Sequence, residues 1–125
     1  MKLRLQLLLP FAIIAATVAA ATASGKATPV GPLPAGPVAT INTQDGQLIA
    51  VALPQAPRSS GLVWRIARRY DPRVVQQTSE ANVGRNVIVV FKVVGAGRTS
   101  IVFAQTRGDA SPKAVASMTH KVRAS

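Results

Sequence analysis

The sequence predicts an all-β fold: an immunoglobulin-like antiparallel β-sandwich of about seven strands, with no disulfide. Three observations predict it. From Val38 onward, short β-type runs follow one another, separated by turn residues at the spacing of about 8–12 residues that small sandwiches show. No stretch of this region carries a convincing helical period. The 125 residues include no cysteine, so the hydrophobic core alone must hold the fold, which a domain of about 100 residues can do by burying well over half of its unfolded surface.

The chain divides into three parts. Lys2 and Arg4 precede an almost wholly apolar run over residues 5–21, and Ala21-Thr22-Ala23 (or Ala19-Ala20-Ala21) fits a small-x-small cleavage pattern. Residues 1–23 therefore read as a secretory signal peptide. Gln6, Pro10 and Thr17 interrupt the run, and it falls short of the ~20 apolar residues a membrane span needs. A mature protein that is periplasmic or secreted, monomeric and without a membrane span is expected. Residues 24–37, with Pro29, Pro32, Pro34 and Pro37, read as a flexible Pro/Gly-rich leader with no core role. As a proline-rich docking ligand it lacks flanking basic or aromatic anchors. Residues 38–125 form the single domain.

Charge is lopsided, with 15 Lys and Arg against 4 Asp and Glu, a formal +11. Without Lys2 and Arg4, thirteen cations face four acids, leaving +9. That balance favours acidic partners without choosing among nucleic acid, anionic lipid, lipopolysaccharide or an acidic protein surface.

Residues 38–42 form a first strand, ended by Gln44-Asp45-Gly46. In residues 47–53, Ile49, Val51 and Leu53 share one face while Leu48, Ala50 and Ala52 share the other. A strand apolar on both faces suggests a central position. Residues 62–67 turn Leu62, Trp64 and Ile66 inward and Val63, Arg65 and Ala67 outward. A weak strand over 73–78 precedes a turn around Gly84 at 82–86. Residues 87–94 carry Val87, Val89, Phe91 and Val93 on one face, and 98–106 carry Ile101 and Phe103, with Gly95-Ala96-Gly97 expected as a hairpin turn between them. The last strand, 114–123, places Ala116, Met118, His120 and Val122 on one side.

Between the second and third strands lies Pro57-Arg58-Ser59-Ser60-Gly61, a small, polar segment held out by two strands that pack. The order is strand, small polar loop, aliphatic-x-Trp strand, glycine turn, paired strands, then an Arg-Gly-Asp loop. It resembles chagasin-type inhibitors of papain-like cysteine proteases, over roughly residues 41–124. In that family the first loop reads Asn-Pro-Thr-Thr-Gly before aromatic-x-Trp. Ser59, Ser60, Gly61 and Trp64 stand at the Thr, Thr, Gly and Trp positions; the proline comes one place early and the asparagine is absent. The second, glycine-rich loop matches Gly84 within Ala81-Asn82-Val83-Gly84-Arg85. The third, Arg-Pro-Trp, falls on Arg107-Gly108-Asp109, keeping only the arginine. The resemblance implies inhibition of a papain-like cysteine protease, three adjacent loops filling the substrate cleft without being cleaved. Contacts would come from Pro57, Arg58, Ser59, Ser60, Gly61, Asn82, Val83, Gly84, Arg85, Arg107, Gly108 and Asp109.

A second reading concerns Arg65, Arg68, Arg69 and Arg73 around Trp64 and Tyr70. These could bind a polyanion, since guanidinium forks pair with phosphates and aromatics stack on bases or sugars. The plainer reading is a solvated strand edge whose charge prevents edge-to-edge pairing. Arg107-Gly108-Asp109 also spells the tripeptide of integrin-binding fibronectin-type loops, although three-residue matches are common by chance. An enzyme is not expected. His120 is the only histidine and falls on an inward position. No elbow motif supports a triad of Ser59 or Ser60 with His120 and Asp45, Asp71 or Asp109. No cofactor or metal is expected either: four scattered acids give no ligand spacing, and Gly95-x-Gly97 has no following helix to bind phosphate.

Overall fold

A computed structural model of the protein describes residues 28–125. Residues 1–23, expected as a signal peptide, and the start of the leader, 24–27, lie outside the described residues. Seven strands follow in order: β1 Val38–Thr43, β2 Leu48–Pro54, β3 Leu62–Ile66, β4 Val75–Val83, β5 Asn86–Val93, β6 Gly97–Arg107 and β7 Ala114–Ala124, with one 3₁₀ turn, Arg58–Ser60, between β2 and β3. They form two sheets, β1-β7-β6-β3 and β2-β5-β4. β1 runs parallel to β7 and every other pairing is antiparallel. This is an immunoglobulin-like β-sandwich, the fold class the sequence predicts.

Alternation along the strands builds the core. Ile49, Val51 and Leu53 from β2 and Val89, Phe91 and Val93 from β5 face Ile101, Phe103 and Val122 of the other sheet, all buried. Phe91 lies at the centre, edge-on to Tyr70 at 5.7 Å and to Phe103 at 6.4 Å between ring centroids. Burying a side chain of this size stabilises by about 1.5–3 kcal/mol. No cross-link supplements it, because the chain has no cysteine.

Four expectations need correction. β2 is an edge strand, paired only with β5. Its outward face, led by Leu48 at 65% exposure, meets solvent. The alanines at 50 and 52 make that face apolar without making it buried. Secondly, Gly95-Ala96-Gly97 is no hairpin, since β5 and β6 belong to different sheets. The segment crosses between layers, and Gly95 is required there because a Cβ would run into the Arg73 carbonyl oxygen. Thirdly, the strand expected at 73–78 runs instead over Val75–Val83. Everything after Val75 is exposed, so no apolar pattern marks it. Asn82 and Val83 belong to this strand, and the turn itself is Gly84-Arg85.

The fourth concerns the leader, which lies against the outer face of the four-stranded sheet. Gly31 N–H donates to Pro112 O at 2.8 Å, Thr119 N–H to Pro37 O at 3.0 Å and Ser117 Oγ to Pro34 O at 2.7 Å. Gly36 sits so close to Ser117 that any Cβ would overlap its carbonyl oxygen. Ala104, Thr106 and Ser117 alternate away from the sandwich core, yet all three are buried. Residues 28–37 make a thin second layer there.

Candidate functional site

Turn chemistry fixes the loop between β2 and β3. Pro57, at φ −56° and ψ 142°, starts a single 3₁₀ turn that Gly61 closes in the left-handed region at φ 71°. Only glycine enters that region without strain. Ser60 N–H and Ser60 Oγ both reach the Pro57 carbonyl, and Ser60 Oγ accepts from Leu62 N–H at 3.2 Å. No residue of the turn is buried. The loop is internally hydrogen-bonded and fully presented.

Both neighbouring loops are bonded to it. On one side, Arg107 Nη1 donates to Ser60 O at 2.8 Å, and Gly108 N–H donates to Gly61 O at 3.0 Å. These extend the ladder that pairs Leu62 with Arg107. On the other, Gln55 N–H donates to Arg85 O at 2.9 Å, and Gln55 Nε2 donates to Asn82 Oδ1 at 2.9 Å. The β4–β5 turn is a tight two-residue one, with Gly84 at φ 60°. The structure thus brings Pro57, Arg58, Ser59, Ser60, Gly61, Asn82, Val83, Gly84, Arg85, Arg107, Gly108 and Asp109 to one end of the sandwich, with the 3₁₀ turn in the middle. Gln55 joins two of the loops and was not a predicted site residue. A glutamine directly after a strand-ending proline carries no pattern that would have marked it.

Trp64 supports this end. Its indole N–H donates to the Pro54 carbonyl at 2.7 Å, tying β3 of one sheet to the end of β2 in the other. The ring is only partly buried, packed against the core from its margin. Beside it, Leu53, Glu80 and Val87 help line a cavity of about 30 Å³. Small-molecule sites are about ten times larger.

The third loop is anchored through Arg65. Its Nε donates to Thr106 Oγ1 at 3.0 Å, Nη1 to Thr28 O at 2.5 Å and Nη2 to Ser111 O at 2.6 Å. Arg68 donates to the carbonyls of Ala67, Val30 and Gly31. Arg73 pairs with Asp71 at 3.2 Å, and this hydrogen bonding holds the Asp71 carboxyl below its ordinary value. Of the four arginines read as a polyanion patch, two hold the leader and one faces its own carboxylate; Arg69 is exposed. The Arg-Gly-Asp tripeptide is likewise bound into the fold, through Arg107 on Ser60 and the Asp109 carbonyl on Thr28 N–H.

His120 pairs with Ile101 across the β6–β7 ladder, six residues along β6 from Arg107, which is about 20 Å. It lies edge-on to Phe103 at 5.9 Å, and its buried Nδ1 has no hydrogen-bond partner among the described residues. Burial lowers its pKa. Among the described residues no His, Asp and Glu side chains cluster as metal ligands would, and no helix is long and apolar enough to cross a membrane.

No family model and no curated protein matches the chain. Among solved structures, it is similar to the crystal structure of the cysteine protease inhibitor EhICP2 from Entamoeba histolytica. The TM-score is 0.54 at 17% identity, covering 74% of this chain and 99% of that one. The likeness is one of fold. Both chains share the sandwich, so the loop end described above occupies a scaffold that an inhibitor is also built on.

Proposed function

We propose that this protein inhibits papain-like cysteine proteases by laying its three-loop end into the substrate cleft. The observation that carries the reading is the bonded row of loops: the Pro57–Gly61 turn held by Arg107 and Gly108 on one side and by Gln55 on the other. The chagasin-type resemblance of the loop order and the fold shared with EhICP2 supply the target class.

Geometry explains how such an edge could bind without being cut. A cleft that binds a peptide by strand addition holds it extended. The 3₁₀ turn at Arg58–Ser60 and the left-handed Gly61 are not extended, and the carbonyls of Ser60 and Gly61 already accept hydrogen bonds. The loop therefore resists being drawn into the conformation that cleavage needs. Because the sandwich holds it in place beforehand, little ordering entropy is lost on binding. Asp109 stands where the family has tryptophan, so the third loop acts here through its support of the first rather than through a large apolar contact. We place this activity outside the cytoplasm, in the periplasm or the medium, and assign it to a monomer.

The alternative, a basic envelope module acting through Arg65, Arg68, Arg69 and Arg73, has less support, because carbonyl and carboxylate partners already occupy three of the four guanidinium groups. Competition tests the primary reading. A papain-like protease whose catalytic cysteine carries a peptidyl blocking group should no longer bind the protein, whereas the free enzyme should. Equal binding to both would place the contact outside the cleft and remove the reading.

A further inference from the structure

The end of the sandwich opposite the loops carries a second charged surface. Along β6, Ile101 and Phe103 point into the core, so Arg98 and Ser100 point outward. Along β7, Val122 points inward, so Lys121 and Arg123 point outward. The register sets Arg98 directly across from Arg123 and Ser100 across from Lys121. On the other side of β7, Asn42 of β1 lies beside Arg123 and Thr40 beside Lys121. Arg98, Lys121 and Arg123 are all exposed.

Like charges placed directly opposite on a sheet are destabilising, their Cβ atoms being only about 5 Å apart. A carboxylate beside them would offset that repulsion. None forms an ion pair with them: the ion pair among the described residues is Arg73 with Asp71. Asp45, in the turn after β1, bonds through its N–H to Ser125 O and forms no ion pair. The leader covers the half of this sheet face nearer the loops, over Ala104, Thr106 and Ser117, and leaves the half with the three cations open. What remains is an open stretch of sheet face that carries Arg98, Lys121 and Arg123, with the hydroxyl and amide groups of Ser100, Thr40 and Asn42 beside them. Arg98 and Arg107, at the two ends of β6, are nine residues apart, about 30 Å.

We infer that this platform, built on Arg98, Lys121 and Arg123, docks the protein on an anionic phospholipid surface. All three cations project from one face of one sheet, so a layer of phosphate headgroups can meet them together, and headgroup phosphates supply counter-charge to the Arg98–Arg123 pair. Docked on this face, the strands run along the surface and the loops lie at the far end of the sheet, about 30 Å from the cations. The docking does not depend on what the loops bind.

Co-sedimentation of the full chain with vesicles tests it, using phosphatidylglycerol mixed with phosphatidylcholine against phosphatidylcholine alone. Adsorption through Lys2, Arg4 and the apolar segment 5–21 is common to the wild type and to a variant of the platform, so the difference between those two on anionic vesicles isolates the platform. Each cation near an anionic surface is worth roughly fivefold in binding. The Arg98→Ser, Lys121→Ser, Arg123→Ser triple variant should bind the anionic vesicles on the order of a hundredfold more weakly. Salt at about 0.5 M should release the wild type. Arg98→Glu guards against a folding artefact: it places an acid opposite Arg123 and should raise the unfolding temperature while weakening binding. Retained binding by both variants, or no preference for anionic vesicles, would overturn the inference. So would equally tight binding of inorganic polyphosphate that displaces the protein from vesicles, since the partner would then be a soluble polyanion.

Discussion

Arg107 Nη1 donates to the Ser60 carbonyl at 2.8 Å, so the third loop holds the first loop's central turn in place. Both residues lie at the protein surface, and their bond supports loop geometry more than global stability. Replacing Arg107 by Ala is expected to lower unfolding free energy by about 1 kcal/mol or less, in line with a net contribution from one exposed hydrogen bond. Inhibition of papain should weaken about tenfold, equivalent to ~1.4 kcal/mol. Thermal unfolding and an inhibition constant measured on the same preparation separate the two effects.

Gly61 allows strain and bulk to be distinguished. At φ 71° any other residue is strained, but a Cβ there would meet only Arg107 Cγ, at an ordinary 3.8 Å. Gly61→Ala should therefore cost about 1–2 kcal/mol of stability and leave measurable inhibition. Gly61→Trp carries the same strain plus an indole at the presented surface, and should abolish inhibition. Denaturant unfolding alongside enzyme titration checks both variants.

Arg65 links the leader, the third loop and β6 through Thr28, Ser111 and Thr106. Arg65→Met keeps most of the aliphatic stem and removes every one of those donors. Since hydrogen bonds from charged groups contribute about 1.5–3 kcal/mol, a stability loss of about 2 kcal/mol is expected. Thermolysin should also cut faster within residues 28–37. Cleavage there at the wild-type rate would mean that Arg65 does not hold the leader.

Acid should destabilise the fold through His120. Burial depresses its pKa below the ordinary 6.5, so the unfolded chain takes up the proton first. Stability is then fully present above about pH 6.5 and declines as pH falls from there toward the depressed folded value. His120→Phe preserves an aromatic edge against Phe103 and removes the titration. Its unfolding midpoint should be flatter than the wild type's between pH 7 and 5.

The inward-facing sets were legible because alternation reports burial directly: Ile49, Val51 and Leu53, then Val89, Phe91 and Val93, then Ile101 and Phe103 all lie in the core. What a strand pairs with is set by distant partners. Leu48, Ala50 and Ala52 therefore imitated a central strand on what is an open edge, and Gly95-Ala96-Gly97 imitated a hairpin although it crosses between sheets. β4 is polar because it is exposed, so its length left no apolar trace. The candidate loops could be located from the small residues at 57–61, from Gly84 and from Arg107. The bonds that join them could not, because Gln55, Arg65 and Arg107 act on backbone carbonyls, which every residue offers.

The most direct test is titration of the protein into papain and a cathepsin-L-type enzyme, following hydrolysis of a small peptide substrate. Inhibition competitive with substrate is expected at nanomolar to low micromolar concentration, with the protein recovered uncleaved. Full enzyme activity in the presence of high micromolar folded protein, or steady cleavage of the Arg58–Gly61 segment, would contradict it.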